Sequence, residues 1–200
     1  MIPKYQDNYL DYYHDQMIRF ESFEGELYSD GIKNTIEHIF KSPVCEGRVL
    51  DFCCGDGTTS KFLAGKGFEV TGFDGNPVKI YKAGLLETLC LFHVITAEEA
   101  SEYFKGDTFR VIYASHCFEH FLNPMEILDN CKSLLEPDGE IFIILPFPNE
   151  SFDGHPGSNE LKLNESIEAV QANMEQHGWI VRNIEQVNFR EPEIIINLQL

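Results

Sequence analysis

The first residues in this chain that could bind a ligand are an acid in an apolar segment and the glycine-bearing turn that follows it. Asp51 lies in the apolar segment 49–52, and Cys53, Gly55 and Gly57 follow. Glycines allow positive φ and a close approach of backbone to ligand. A strand, a glycine turn and a helix N-terminus together form a nucleotide-sized cradle. The turn contains no lysine, so it does not match a triphosphate-binding loop.

A second acid ends the next apolar segment, roughly twenty residues further on. Residues 68–73 are followed by Asp74, and Gly75, Asn76 and Pro77 then turn the chain. Dinucleotide folds place a carboxylate at this point, where it accepts hydrogen bonds from ribose hydroxyls. We therefore predict Asp74 as a ribose ligand; an acid that only caps a helix or closes a turn is the alternative.

Three histidines could accept a proton from a substrate, because histidine titrates near neutral pH. His116 and His120 follow a predicted strand that ends at Ser115, and His155 lies in the irregular segment 146–163, which is rich in proline and glycine. We predict all three as candidate catalytic bases. The alternatives are a hydrogen-bonded structural role for His120 and simple loop exposure for His155.

The N-terminal segment 4–28 is rich in aromatic residues. A helix that packs its aromatic face on the domain explains this composition, and so does a lid that shields a reaction from water. In the second interpretation Tyr9, Tyr12 and Tyr13 bind the substrate together with His155. A better-defined helix follows at 29–41, with Ser29 or Asp30 as its N-cap.

Strands and helices alternate through the rest of the chain. Helices are predicted at 58–66, 78–89, 124–135 and 164–177, with a short helical stretch at 97–104; strands are predicted at 48–52, 68–73, 90–95, 109–115 and 140–145, the last after a turn at 137–139. Two strands without a helix between them, 179–184 and 194–200, close the chain. This alternation predicts an α/β fold whose parallel sheet has helices on both faces, and the closing pair is antiparallel because a parallel crossover needs a dozen or more residues.

Composition narrows the class of protein. The 200 residues, 43% of them hydrophobic, fit one globular domain. The net charge of −18 argues against a nucleic-acid substrate, and no apolar run is long enough to span a bilayer. The chain opens without a signal-like segment, so its six cysteines are expected to be reduced thiols in the cytoplasm. Their spacing predicts no zinc site, and we expect no metal ligands.

Four motifs in order make the chain similar, over residues 48–200, to the class I S-adenosylmethionine-dependent methyltransferases. They are Leu-Asp-Phe-Cys-Cys-Gly-Asp-Gly at 50–57, Val-Thr-Gly-Phe-Asp at 70–74, Ala-Ser-His-Cys-Phe-Glu-His at 114–120 and Leu-Glu-Pro-Asp-Gly-Glu at 135–140. The resemblance implies a Rossmann-like sheet of seven strands, mostly parallel. The seventh strand would lie antiparallel between the fifth and the sixth.

The resemblance also implies a set of residues that bind S-adenosylmethionine. By motif position these are Asp51, Cys53, Gly55 and Gly57 at the methionine end, Asp74 at the ribose, Gly75 and Asn76 beside the adenosine, Ala97 and Glu98 at the adenine, and Ser115 and His116 near the sulfonium. The chain departs from the family pattern at three positions. Cys53 replaces the first glycine, where a cysteine fits with a negative φ; Thr96 replaces an acid, and Arg110 replaces an aspartate.

We expect one methyltransferase domain over residues 1–200, with an N-terminal segment at 1–47, a core at 48–200 and a substrate-side loop at 147–163. The resemblance implies methyl transfer, and the acidic composition together with the lack of a large extra domain favours a small-molecule acceptor. The oligomeric state and the acceptor atom are left open. The alternative is an inactive, methyltransferase-like binding or scaffold protein. A nicotinamide dehydrogenase is disfavoured, because the third glycine of the dinucleotide turn is absent and the chain closes on a strand pair.

Overall fold

A single mixed sheet organises the part of the chain that the computed structural model describes, namely residues 26–42, 45–86, 88–147, 156–163, 165–189 and 191–200. Its strands are β1 (Arg48–Phe52), β2 (Glu69–Asp74), β3 (Leu91–Val94), β4 (Phe109–Ser115), β5 (Leu135–Pro146), β6 (Ile180–Asn188) and β7 (Pro192–Gln199). The strand order is β3-β2-β1-β4-β5-β7-β6. The first five strands are parallel, and β7 runs antiparallel between β5 and β6. The predicted fold class is thereby confirmed.

Helices cover both faces of the sheet. They are α1 (Glu26–Ile39), α2 (Thr58–Gly65), α3 (Pro77–Ala83), α4 (Ala100–Tyr103), α5 (Pro124–Cys131) and α6 (Ile167–Gln176), with short 3₁₀ turns at Phe118–His120 and Lys132–Leu134. On one face α1 and α2 bury Ile32, Ile36 and Leu63 against Val49 and Val111. On the other face Leu50, Ile112 and Ile143 pack with Leu128 of α5 and Met174 of α6. Alternate residues of one strand thus serve opposite cores, as expected for a sheet buried on both faces.

Several helix boundaries differ from the sequence-based expectation, and two of the differences concern residues singled out in the sequence. The third helix was predicted to reach residue 89, but α3 ends at Ala83 with Gly84 as its C-cap. Glycine weakens a helix, and Leu85 and Leu89, whose spacing suggested a longer helix, are largely exposed. At the other end of the chain, α1 already includes Ser29 and Asp30, so neither residue is its N-cap.

The turn predicted at residues 137–139 lies within β5 instead. Pairing between β4 and β5 shifts from Phe109–Leu135 to Val111–Glu140, so the intervening residues form a bulge in one continuous strand. A Cβ on Gly139 would lie 3.0 Å from the carbonyl oxygens of Phe109 and Glu136, which explains the glycine there. Turn residues can therefore mark a bulge as well as a strand end.

The strand order reverses beside β1, and the ends of the strands meet there. β1 pairs with β2 on one side and with β4 on the other, so Phe52 stands beside Phe73 and Ala114. Open α/β sheets bind ligands at the carboxyl ends of strands around such a switch point. The segments that follow β1, β2 and β4 therefore define the edge at which a site is expected.

Candidate active site

The turn after β1 has the left-handed backbone conformation that glycine favours at three positions. The φ angles are +58° at Cys53, +57° at Gly55 and +81° at Gly57. The expectation of a negative φ at Cys53 was therefore wrong, because Cys53 adopts the left-handed conformation that would suit the glycine it replaces. The turn is held by hydrogen bonds from the Cys54 N–H to the Phe73 carbonyl (2.8 Å) and from the Gly57 N–H to the Cys54 carbonyl (3.0 Å).

Gly57 also allows α2 to begin close to the neighbouring segments. A Cβ at this position would lie 2.9 Å from the Cβ of Ala83 and 3.0 Å from Cζ of Phe92. Gly57 is the N-cap of α2 and has no side chain to cap it. Asp56 instead accepts a hydrogen bond from the Thr58 N–H at 3.1 Å. Gly57 therefore allows the close packing, and Asp56 supplies the side-chain hydrogen bond at the start of α2 that a glycine cannot supply.

Asp74 joins the first two motifs directly. Its carboxylate accepts hydrogen bonds from the Gly55 N–H (3.1 Å) and from the Asn76 N–H (2.8 Å). The side chain of Asn76 in turn accepts hydrogen bonds from the backbone N–H groups of Val78 (2.9 Å) and Lys79 (3.3 Å), which caps α3. The carboxylate predicted to bind ribose is therefore fixed at the rim of the glycine turn.

Asp51 lies beneath the turn, on the face of the sheet that α2 covers. Its side chain is only 2% exposed, and its carboxylate accepts a 2.5 Å hydrogen bond from the Ser60 hydroxyl. Burial raises the pKa of Asp51 to about 7, although the Ser60 hydrogen bond opposes the shift. A buried carboxyl group near the glycine turn is therefore poised to change charge near neutral pH.

The residues predicted to border an adenine follow β3, the strand beside β2. Ala97 is buried, whereas Glu98 is exposed. Thr96, which replaces an acid of the family pattern, donates its N–H (3.1 Å) and its hydroxyl (2.9 Å) to the Glu99 carboxylate. These hydrogen bonds, the backbone one first, lower the pKa of Glu99. An acid is thus present near this position, one turn later than the family pattern implies.

β4, on the other side of β1, ends at Ser115, and His116 follows it. His116 has a φ of +51°, and its N–H donates to the Ile144 carbonyl at 2.9 Å. Its ring Nε2 lies 2.6 Å from Oε1 of Glu193. Its Nδ1 lies 3.7 Å from Oε1 of Glu119 and 3.8 Å from Oε1 of Glu191. Three carboxyl groups therefore surround this imidazole.

His120 lies in the same group of side chains. Its Nε2 is 3.9 Å from Oε1 of Glu119, and the side chains of His120 and Glu119 are 15% and 1% exposed. A small recess lined in part by Thr35 of α1 also reaches Ser115 and Glu193. The structure therefore brings His116 and His120 together, with α1 alongside.

Three acidic residues of this group, Glu119, Glu191 and Glu193, were missed as candidates. Glu119 was quoted within a motif, while Glu193 lies 77 residues from His116 in sequence. The position of Glu193 could have been predicted from the expected strand order. A strand that runs antiparallel to β5 begins beside the carboxyl end of β5, so acids at the start of β7 lie at the edge of the sheet where ligands bind. In the structure Glu193 pairs with Pro146, the last residue of β5, as this argument requires.

Two thiols near the turn, those of Cys53 and Cys117, resist ionisation. A hydrogen bond with Cys117, and then burial, raises the pKa of the Cys53 thiol well above its usual range. Burial also raises the pKa of the Cys117 thiol. Both thiols are therefore expected to be protonated near neutral pH.

Other predicted site residues lie outside the described part of the chain. These are Tyr9, Tyr12, Tyr13 and His155. Of the predicted substrate-side loop, Phe147 and residues 156–163 are described. Leu161 and Leu163 are fully buried, and the Gly157 N–H donates to the Glu119 carbonyl at 2.9 Å. None of the helices in the described ranges is long and apolar enough to span a membrane.

Sequence comparison places the chain among known enzymes. A family model described as a methyltransferase domain matches residues 22–187. The ubiquinone biosynthesis O-methyltransferase of Dechloromonas aromatica is 35% identical over 100 residues, which are 48% of this chain and 43% of that protein. The protein of the same name from Vibrio cholerae is 31% identical over 98 residues, 48% of this chain and 40% of that protein. The chain thus matches less than half the length of these relatives.

Solved structures show the same fold. The PH0226 protein of Pyrococcus horikoshii superposes with a TM-score of 0.71 at 20% identity, covering 89% of this chain and 93% of that one. The 1,6-didemethyltoxoflavin-N1-methyltransferase of Burkholderia thailandensis, solved with bound 1,6-didemethyltoxoflavin and S-adenosylhomocysteine, gives a TM-score of 0.63 at 17% identity, covering 95% of this chain and 84% of that one. At these identities the likeness concerns the fold alone.

Proposed function

This chain belongs to the methyltransferase domain family, and from that membership we propose that it is an S-adenosylmethionine-dependent methyltransferase with a small-molecule acceptor. The observation that carries the proposal is the link between the first two motifs. The Asp74 carboxylate accepts a hydrogen bond from the Gly55 N–H at 3.1 Å, so the acid proposed to bind ribose is joined to the glycine turn at the switch point of the sheet.

The residues of this unit fit the proposed cofactor. Asp74 keeps lone pairs for ribose hydroxyls, since an ionised carboxylate has about four acceptor sites and two backbone N–H groups occupy part of them. Gly55 leaves room for a ligand to approach the backbone, because a Cβ there would meet only the Lys79 side chain, at 4.0 Å. A sulfonium cation needs no lysine, and residues 53–60 contain none. Ser115 and His116 lie on the far side of β1, where the methyl group would be presented.

The proposed reaction is an in-line displacement, which mainly requires that two reactants be held in line and kept from water. S-adenosylmethionine, when bound, supplies an electrophilic methyl group. The protein's part is to fix the cofactor through the turn and Asp74, and to place the acceptor between that unit and the His116 group. Catalytic roles for His116, His120 and His155 remain predictions.

A small-molecule acceptor is supported by the names of similar proteins. The relatives act in ubiquinone biosynthesis as O-methyltransferases, and structures of the same fold include toxoflavin and plantazolicin methyltransferases. The net charge of −18 favours neutral or cationic acceptors over nucleic acid. Tyr9, Tyr12, Tyr13 and the 147–163 loop as the acceptor enclosure, one domain over 1–200 and a cytoplasmic location remain predictions of the sequence.

A second candidate function is supported by Cys53. An active site of this family usually has glycine there, and the cysteine sits at a φ of +58° with its Cβ on the backbone that should face the cofactor. A protein that keeps the fold but does not bind or use the cofactor would retain all other features. This inactive binding or scaffold protein is the alternative to the enzyme.

Thermal unfolding of the full chain with S-adenosylmethionine, S-adenosylhomocysteine or NAD separates these functions. At a hundredfold excess over Kd a ligand adds about 2.7 kcal/mol of stability, which for a domain of this size raises Tm by roughly 5–10 °C. We expect that shift with both adenosyl ligands and none with NAD. A shift with NAD alone would indicate a dehydrogenase, and no shift with the adenosyl ligands would favour the scaffold.

A further inference from the structure

The exposed apolar side chains of the described residues gather at one edge of the sheet. In the described ranges eleven large apolar side chains are well exposed. Seven of them lie in the stretch 78–103, which contains α3, β3 and α4, and they are Val78, Tyr81, Leu85, Leu89, Leu91, Val94 and Tyr103. These seven residues are called the β3 patch below.

The strand at the centre of the patch has an open outer side. In the described part of the sheet β3 is the first strand in the order, and it pairs with β2 alone. All four of its side chains are exposed or half-buried, and Leu91 is 62% exposed. An edge strand directs backbone N–H and C=O groups away from its sheet, where they can pair with another strand.

The two edge strands of the sheet differ in charge. β6, at the opposite edge, carries Arg182 and Glu185, and charged side chains on an edge strand oppose pairing with another chain. Residues 88–97, which include β3, contain no Asp, Glu, Lys or Arg. The β3 edge therefore lacks the charges that protect the β6 edge.

Apolar side chains continue the β3 edge on the face of the sheet that α3 covers. The helix packs on β2 and β3. Val78 and Tyr81 are one turn apart on α3 and are both more than half exposed, and Leu85 follows one turn later, just beyond the end of the helix. The three side chains form an apolar stripe beside the strand.

The patch also continues on the other face. Phe92 and Ala83 of α3 lie on one face, because both approach the position of a Cβ on Gly57, so His93 points to the opposite face. There its ring lies 5.4 Å from the ring of Tyr103 in α4. A strand that pairs with β3 would therefore bury apolar side chains on both sides of the sheet.

The β3 patch is large enough for one side of a stable interface. Its seven side chains expose on the order of 900 Å² together, whereas the largest apolar patch on a typical monomer is roughly 300–600 Å². Each partner in a standard protein–protein interface buries about 800 Å². The exposed area therefore matches what a stable dimer needs.

We propose that the β3 patch is the interface of a two-fold dimer, in which β3 pairs antiparallel with β3 of a second copy of this chain. Two identical strands that pair in this way are related by a two-fold axis perpendicular to the sheet. The axis places α3 beside α3 of the partner on one face and α4 beside α4 on the other. Each apolar stripe then meets its own counterpart, so the surface is self-complementary.

Charge favours a second copy over a partner of opposite charge. The net charge of −18 repels a second copy from most of the surface, and this repulsion is weakest where the uncharged segment 88–97 is presented. A basic partner would instead be attracted to the acidic parts of the surface. The proposal does not rest on the methyltransferase function.

Sedimentation velocity and light scattering of the full chain test the proposal. At roughly 10–100 µM chain, above the micromolar upper end of Kd for interfaces of this size, we expect particles of twice the mass of one chain. Leu91→Lys and Tyr81→Lys each bring like charges together across the two-fold axis. Each should weaken the dimer at least about tenfold. Both side chains are mostly exposed, so thermal unfolding should show a folded protein in each case.

Ile180→Lys is the matched control. Ile180 is 46% exposed and lies in β6, the other edge strand, so its replacement should leave the dimer affinity unchanged. Hydrogen exchange measured by mass spectrometry locates the interface. Amides in residues 88–97 should exchange more slowly in wild type than in Leu91→Lys, and amides of β6 should exchange equally in both.

Three results would overturn the proposal. A monomeric wild-type chain is the first, and it would leave a strand of a different protein as the occupant of the β3 patch. The second is a dimer that withstands both Leu91→Lys and Tyr81→Lys, because it would use another surface. The third is an assembly of more than two chains, since a two-fold interface closes at two copies.

Discussion

Cys53 shows how a side chain is accommodated in a turn built for glycine. A left-handed φ costs a residue with a Cβ roughly 1–2 kcal/mol, yet Cys53 adopts +58°. Its thiol hydrogen-bonds with Cys117, and the side chain packs against the core on one face of the sheet. These contacts offset part of the strain. The turn after β1 therefore keeps its left-handed backbone conformation despite the side chain.

Asp51 should make stability depend on pH. Its pKa is about 7 in the folded state against 3.8 as the reference value, so between these pH values the folded state holds a proton that the unfolded state releases. Stability from this group is full below about pH 4 and is lost as the pH rises through 7. Asp51→Asn keeps an acceptor for Ser60 and removes the titration.

The measurement is urea unfolding of wild type and Asp51→Asn between pH 5 and pH 8. The stability of the variant relative to wild type should increase with pH up to about 7, by at most about 1.4 kcal/mol per pH unit, and then level off. A difference that is constant with pH, or that falls as the pH rises, would show that Asp51 is ionised in the folded protein.

The junction between β1 and α2 depends on one glycine. Gly57→Ala places a Cβ 2.9 Å from Ala83 at a φ of +81°, and we expect it to lower the free energy of unfolding by about 2–4 kcal/mol, from backbone strain and overpacking together. Gly65→Ala, at the end of α2, meets no atom within 4 Å and should be neutral or slightly stabilising. Chemical denaturation measures both. Equal stability of the two variants would contradict the packing of α2.

At the scale of elements, the sequence predicted those strands and helices whose bounds follow from local hydrophobic periodicity. β4 was predicted with its observed bounds, Phe109–Ser115, because an apolar run between polar segments has one simple interpretation. The end of α3 and the bulge in β5 were missed for a shared reason. Leu89 and Gly139 have several local interpretations, and only tertiary neighbours select among them: solvent around Leu89, and carbonyls that exclude a Cβ at Gly139.

At the scale of the whole molecule, the sequence predicted the family, and it brought out one part of the candidate site but not the other. Asp74 and the glycine turn were recognisable because one βαβ unit brings them together. The surroundings of His116 were not, because Glu193 reaches it from 77 residues away through the insertion of β7 between β5 and β6. Strand order is a property of the complete sheet, so contacts between side chains of strands that are distant in sequence cannot be predicted from local sequence patterns.

The central claim is that Asp74 and the turn after β1 bind S-adenosylmethionine, and calorimetric titration tests it most directly. Asp74→Ala should weaken binding by on the order of 1–3 kcal/mol, the cost of lost charge-assisted hydrogen bonds. Asp74→Asn, which keeps an oxygen for the Gly55 or the Asn76 N–H, should also bind more weakly than wild type. Asp138→Ala, at an exposed acid in the β5 bulge, should match wild type. No binding to wild type, or equal affinity in all four proteins, would contradict the account.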